Sequence, residues 1–497
     1  MTAERQPHPR RWVGLAVLSL SLLVVMMDMT ILNVALPELT RDVRPTSVEL
    51  LWIVDAYSLV VAGVLVTAAA LGDRFGRRRL LIAGYSIFGI VSAAIVLVDG
   101  AGAIIALRAL LGLGGAMIMP ATLAMIRTLF TDARERGMAL GVWAAVAGGG
   151  AGLGPVVGGA LLEAFSWHAA FLVNVPLMVI AVVAAATLLP ESRSTRPGRI
   201  DAAGVVLSLA GMAGLVYAIK ELGKHGPELA PLLAGGVGVA ALAVFVLRCL
   251  RSPAPMLDVR LLAGRRFRAG VVTAVSAMFA MGALFLLGAQ HLQLIEGLSP
   301  LSAGLWLLPM AGASVVASLV SPPLAERIGA RATLSGGLAI SALGFLLLFA
   351  VPIDLLTLVL ALSVVGLGTG TLSIASGLIM SDTPAEKAGS AAAIEETAYE
   401  FGMVLSIAIL GTVAAALYRA GLPGDAAPAV RESLAAAAGG DAGVFASASA
   451  AFTDSLAWTG LAGAVVIAAA AAAVWRLAAP RPDARPSGRA LAASESR

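Results

Sequence analysis

The chain has 497 residues, of which 59% are hydrophobic and 13% charged, and its mean hydropathy is +0.92. A water-soluble domain carries roughly 25% charge, so this composition excludes a soluble enzyme. The balance is mildly basic, with 34 Lys and Arg against 30 Asp and Glu, and the single cysteine, Cys249, allows no intrachain disulfide.

Apolar runs recur along the whole chain, many of them ~20 residues long, enough to cross ~30 Å of hydrocarbon as helices. Lipid offers the backbone no partner, which favours helices, and the runs lack the ~10-residue alternation of a membrane β-barrel. Six spans are predicted first, at about 12–35, 50–71, 79–99, 102–126, 138–162 and 166–189. The first is too long for a signal-peptide core and lacks a small-residue cleavage site, so it is read as a retained helix. Two more follow at about 201–221 and 229–250, and then six at about 267–291, 302–323, 331–350, 353–378, 389–417 and 455–477. The segment 419–454 is rich in Ala and Gly, and both a short amphipathic helix and a flexible loop fit it. The Arg-, Pro- and Ser-containing stretch after Pro480 is expected to be disordered.

Fourteen spans place both termini on one side. With that side cytoplasmic, 27 of the 34 cations fall inside, six outside, and one, Arg108, within a span. This asymmetry is the positive-inside pattern, and it accounts for the basic balance without nucleic acid.

The sequence also repeats itself. Asp73-Arg74-x-Gly76-x-Arg78 recurs as Glu326-Arg327-x-Gly329-x-Arg331 at an offset of 253, while Trp52 recurs as Trp306 and Gly112-Leu113-Gly114 as Gly366-Leu367-Gly368 at 254. Three matches in order predict two homologous six-helix halves, a common transporter plan with the substrate site between them. The expected organisation is a six-helix bundle over 1–195, a two-helix insertion over 196–255, a second six-helix bundle over 256–480 with the long outside loop 419–454, and a tail over 481–497.

These residues resemble the major facilitator superfamily, and within it the fourteen-helix drug:proton antiporter branch. Leu71 through Leu80, with Gly72, Asp73, Arg74, Gly76, Arg77 and Arg78, is similar to the gate motif of that superfamily, with Ala69 in place of the usual first Gly. Arg108 with Gly112, Gly114 and Gly115 resembles the fourth-helix motif assigned to proton coupling. Gly152-x-Gly154-Pro155-x-x-Gly158-Gly159 resembles the fifth-helix motif of exporters. Asp28-x-Thr30-x-x-Asn33-Val34-Ala35-Leu36-Pro37 is similar to the first-helix motif of the branch. Leu51 to Leu59, and Glu395-Glu396 followed by Glu400, look like the quaternary-ammonium multidrug pumps. Ser314 stands where pumps that export divalent cations carry an acid, which argues against dications.

The resemblance implies an all-α membrane protein with two six-helix bundles and an inserted pair. It implies proton-coupled efflux of lipophilic, cationic compounds across the bacterial cytoplasmic membrane by alternating access. The implied partners are such cations, protons and membrane lipid, acting on a monomer with no cofactor, metal or nucleic acid. A dedicated exporter of an endogenous antibiotic or lipid is the alternative, and a nutrient symporter a more distant one.

A charge at membrane depth costs ~2.5–3.5 kcal/mol on insertion scales, so each one is a site candidate. Asp28, Asp55 and Arg108 all fall in the outer half of the first bundle. Asp28 is expected to exchange the proton, with Arg108 as its partner, since the guanidinium favours the carboxylate while burial favours the acid. A static ion pair is the competing reading. Glu396 is a second proton-coupling candidate. Asp55 and the acids Glu395 and Glu400 are expected to attract a cation, and Trp52, Tyr57, Trp306 and Tyr399 to offer it ring faces, unless those rings only pack or anchor. Met26, Met27, Met29 and Met310 suit an adaptable wall, or ordinary packing. Gly148-Gly149-Gly150 and Gly152-x-Gly154-Pro155, inside the fifth span, predict a hinge or a tight seam, with lipid-facing low-complexity drift as the competing reading. Asp73 and the arginines of 77–79 predict a cytoplasmic gate of weak exposed pairs, roughly 0–1 kcal/mol each.

No phosphate-binding loop ends in Gly-Lys-Ser/Thr, which argues against a primary ATP pump. The four histidines are scattered, so metal chemistry is not expected. The spans hold few side-chain amides, which disfavours a sugar site.

Overall fold

In the computed structural model, the described residues are 9–45, 47–194, 201–225, 228–381, 383–432, 434–437 and 441–479. The expected disordered tail after Pro480 lies outside them. The chain forms helices α1 (Arg11–Val43), α2 (Ser47–Phe75), α3 (Arg77–Ala94), α4 (Ala101–Leu129), α5 (Ala133–Ala164), α6 (Ala169–Leu172) and α7 (Asn174–Leu188). Two further helices, α8 (Ala202–His225) and α9 (Leu229–Arg251), form a hairpin. Then come α10 (Arg265–Gln290), α11 (Pro300–Ile328), α12 (Ala330–Ala350), α13 (Leu355–Thr369), α14 (Leu372–Ser381), α15 (Ala388–Gly421), α16 (Pro428–Glu432), α17 (Leu434–Ala437) and α18 (Ala442–Leu477).

Among the described residues, 13 helical spans are long and apolar enough to cross a membrane, and a bent pair in α5 makes up to 14. That pair, Arg134–Gly150 and Gly152–Ala164, meets at 40°. The break falls between Gly150 and Gly152, at the end of the glycine run Gly148–Gly150, where little side-chain packing resists a kink. Two of the predicted spans, 166–189 and 353–378, each consist of two helices joined at a turn.

Several helices are longer than predicted. α18 begins at Ala442 and α15 ends at Gly421, so both extend into the predicted loop 419–454, which shrinks to a short stretch holding α16 and α17. Alanine continues a helix after the hydrophobic run has ended, so hydropathy underestimates these helices.

The repeat in sequence is a repeat in geometry. Gly76 between α2 and α3 has φ 115°, and Gly329 between α11 and α12 has φ 87°, a region open to Gly at little cost. A Cβ on Gly112 of α4 would run into the Tyr57 carbonyl of α2, and one on Gly366 of α13 would run into the Met310 carbonyl of α11. Gly84 meets Gly114, as Gly337 meets Gly368. In both halves these glycines let backbones approach closely, the usual device of helix pairs in lipid.

One apolar core includes Leu18, Tyr85, Phe88 and Trp167. A second includes Leu338, Phe345, Leu362 and Ile467. The halves meet along two seams, α5 against α11 and α2 against α15. Small residues line the first: Gly141 faces the Ser318 carbonyl and Gly152 faces Ala311. α8 lies over the second, where Met212 and Val216 pack with Ala62 of α2 and Val404 of α15. At the foot of the α8–α9 hairpin, Arg248 Nη2 sits 2.7 Å from Asp201 Oδ2. The hydrogen bond from Arg248 holds the Asp201 carboxyl below its usual range.

Candidate functional site

Among the described residues, the charged side chains singled out from the sequence fall mainly into three groups. The first joins α1, α4 and α7. Asp28 is fully buried, and its Oδ2 accepts from Arg108 Nη1 at 2.9 Å. Arg108 Nε donates to the Ile53 carbonyl at 3.1 Å. The Arg108 guanidinium stands 4.7 Å above the Tyr57 ring, a contact worth ~2 kcal/mol or more once desolvated. Tyr57 therefore gives its ring face to Arg108, and its hydroxyl lies against Gly115. Asp28 Oδ1 accepts from Asn174 Nδ2 at 2.9 Å, and the same nitrogen lies 3.4 Å from Ser92 Oγ. Sequence reasoning did not single out Asn174. Its signal was polarity inside an apolar run, which is weaker than charge. Asp55 lies on α2, and its side chain is outside the described residues, as is that of Asn33.

The second group is on α15. Glu395 and Glu396 are fully buried, and Glu400 is 7% exposed. Glu395 Oε1 accepts from Tyr399 at 2.5 Å and from Ser376 of α14. Neither oxygen of Glu396 has a hydrogen-bond partner among the described residues. The Tyr399 ring stacks on Trp143 of α5 at 6.4 Å, and Trp143 Nε1 donates to Thr122 of α4. An aromatic pair therefore bridges the halves beside the three acids. Trp143 and Ser376 gave no sequence signal, because each reads as ordinary helix filling.

Met310 lines a recess of about 10 Å³ shared with Gly148, Met281, Phe285, Ser314 and Thr369, room for about one water. Thr369 donates to Ser314 at 3.1 Å. Of the methionines, Met27 and Met310 are buried, while Met26 and Met29 are half-buried against the first core. Trp52 and Trp306 are elsewhere: they are 41% and 40% exposed and belong to neither core. On α5, a Cβ at Gly154 would overlap Thr30 of α1, and one at Gly158 would press on Ile31. Gly159 faces Leu301, and Pro155 faces Gly304 of α11. The exporter-like segment therefore packs on both halves at once.

The third group lies at the arginine-bearing end. Asp73 Oδ1 accepts from Arg77 Nη2 at 2.8 Å and Nε at 3.2 Å. Arg77 also donates to Thr128 and Ser192. This pair is buried, with side-chain exposures of 4% and 12%, so the small value for exposed pairs does not apply to it. The reason is Gly389 at the start of α15, which sits directly on the Asp73 carboxylate. Arg78 donates to the Leu189 carbonyl, Arg74 is exposed beside Phe75, and Gly72 packs on Leu80. Among the described residues, polar contacts that join the halves at this end include Arg127 to the Thr383 carbonyl, Ser194 to the Glu386 carbonyl at 2.8 Å, and Arg134 to Glu326 at 3.7 Å.

A sequence model of the Major Facilitator Superfamily matches residues 18–422. The chain belongs to the Major Facilitator Superfamily. It is a multi-pass membrane protein and a transporter, not an enzyme. It is 42% identical to the multidrug efflux pump LfrA of Mycolicibacterium smegmatis, over 86% of this chain and 87% of that pump. It is 40% identical to the methyl viologen resistance protein SmvA of Salmonella typhimurium, over 81% and 82%. It is 35% identical to the puromycin resistance protein of Streptomyces alboniger, over 82% of each. The fold matches the human organic anion transporter MFSD10 with a TM-score of 0.62, covering 93% of this chain and 100% of that one at 14% identity. At that identity the likeness speaks to the fold alone.

Proposed function

We propose that this transporter exports lipophilic cationic drugs across the bacterial cytoplasmic membrane in exchange for protons, with both termini on the cytoplasmic side. The relatives named for multidrug, methyl viologen and puromycin resistance support the efflux part of this reading. The observation that carries the cationic part is the acidic cluster of α15. Glu396 is buried without a hydrogen-bond partner among the described residues, on the same helix as Glu395, Glu400 and Tyr399, whose ring stacks on Trp143 of the other half. Carboxyls this close repel one another when ionised, and a proton or an organic cation relieves that repulsion. The Tyr399 and Trp143 rings add a face for a delocalised cation. Asp28, already paired with Arg108, serves as the coupling site: loading it with a proton weakens its hold on Arg108, which also touches α2 through Ile53 and Tyr57. The halves 1–195 and 256–480 rock about the two seams, and the buried Asp73 group opens and closes the cytoplasmic end.

The test is transport into liposomes holding the full chain under an imposed pH gradient, with ethidium, methyl viologen and puromycin as probes. Asp28→Asn is expected to abolish gradient-driven transport of every probe that the parent protein carries while leaving the protein folded. Glu396→Gln is expected to weaken ethidium transport at least tenfold. Full proton-dependent transport in Asp28→Asn would remove the coupling assignment, and undiminished ethidium transport in Glu396→Gln would remove the cationic one. Vigorous methyl viologen transport would show that Ser314 does not bar dications.

A further inference from the structure

Asp28 is held by two donors, only one of which is charged. Arg108 has donors alone, so it can satisfy Oδ2 of a carboxylate but has nothing to offer the O–H of a protonated acid. Asn174 on α7 is different. Its Nδ2 donates to Asp28 Oδ1 at 2.9 Å, the only amide orientation that suits a carboxylate. Its own Oδ1 is buried with no hydrogen-bond partner among the described residues. A buried acceptor left unpaired is costly, and an isosteric Leu would avoid that cost. The neighbouring Ser92 Oγ, 3.4 Å from Nδ2, is a hydroxyl that can accept or donate, and so suits either amide orientation.

We propose that Asn174 is the positioning residue for the proton site, and that its amide turns over with the protonation state of Asp28. The NH₂ faces the carboxylate; once Asp28 takes a proton on Oδ1, the carbonyl faces the acid and accepts from it. The unpaired Oδ1 is the acceptor kept for that second state. This rests on the reading of Asp28 as the exchangeable site. Among the described residues, the charged or titratable groups facing Asp28 are Arg108 from α4 and Tyr57 from α2. Ser92 from α3 and Asn174 from α7 are uncharged, and α5 meets this part of α1 through Gly150 and Gly154.

The experiment is the pH profile of ethidium-driven proton release from the full chain in liposomes. Asn174→Leu removes a charge-assisted bond to the carboxylate and a weaker one to the acid. The carboxylate loses more, so proton affinity rises by about threefold to tenfold and the midpoint moves up by about 0.5–1 pH unit. Asn174→Ser, whose hydroxyl is too short to reach Asp28, is expected to shift the midpoint in the same direction and decides the matter should the Leu variant not fold. A lower maximal rate with an unmoved midpoint would mean Asn174 is only packing, and would overturn the proposal. The two readings fail separately. Proton-dependent transport surviving in Asp28→Asn removes both. An unmoved midpoint in the Asn174 variants, with Asp28→Asn inactive, removes only this one.

Discussion

Arg108 makes its three contacts with three different parts of the molecule: the Asp28 carboxylate, the Ile53 carbonyl and the Tyr57 ring. Deleting it leaves a carboxylate buried at 0% exposure with Asn174 as its remaining donor. Breaking one side of a buried pair costs ~3–5 kcal/mol. Arg108→Ala is therefore expected to lower the melting temperature in detergent sharply, and Arg108→Ala with Asp28→Asn to recover most of that loss. Neither protein is expected to couple transport to protons. Equal melting temperatures for the single and double variants would show that the pair contributes little to folding. At this scale the sequence was legible where a side chain carried a charge, because a charge in hydrocarbon is costly enough to need a reason. It was silent on Trp143 and Ser376 and faint on Asn174, since an aromatic or a small polar residue is commonplace in such helices. The repeat matched Trp52 with Trp306 but could not say which way either ring points, because sequence position gives no direction around the bundle.

At the scale of elements, close helix pairs recur in both halves through matched glycines. Gly112 of α4 packs against the Tyr57 backbone carbonyl of α2. Gly112→Ala places a methyl against the Tyr57 backbone carbonyl, which has no flexible end to give way. Overpacking of this kind costs ~1–3 kcal/mol, and it moves Tyr57 relative to Arg108. The expected result is a lower melting temperature together with weaker proton coupling, read by thermal unfolding and vesicle transport on the same preparation. Alanine at the exposed Gly102, where nothing lies within 4 Å, is the control and should change neither. The kink of α5 was legible from its glycines, but its partners on both halves were not. The extent of α15 and α18 was misread for a different reason: hydropathy measures contact with lipid, and alanine carries a helix on past it.

For the whole molecule, alternating access requires the contacts at the arginine-bearing end to break and re-form. Ser194 and Glu386 belong to opposite halves and touch there, at 2.8 Å. A disulfide between cysteines at these two positions, in a Cys249→Ser background, is expected to stop transport when oxidised and to restore it on reduction. Unimpeded transport in the oxidised protein would mean that this end does not open. The sequence by itself determined that the chain spans a membrane many times, that its cations favour one face, and that it is built from a repeat. Each of those follows from the local cost of placing apolar or charged groups in lipid or water, which can be read one segment at a time. Only the tertiary structure decided that Asn174 meets Asp28 across 146 positions, that Trp143 stacks on Tyr399 of α15, that the Asp73 pair is buried, and that α8 lies over one seam. Those depend on the rotation and register of each helix against its neighbours, which small residues and close backbone contacts fix only once the helices are packed.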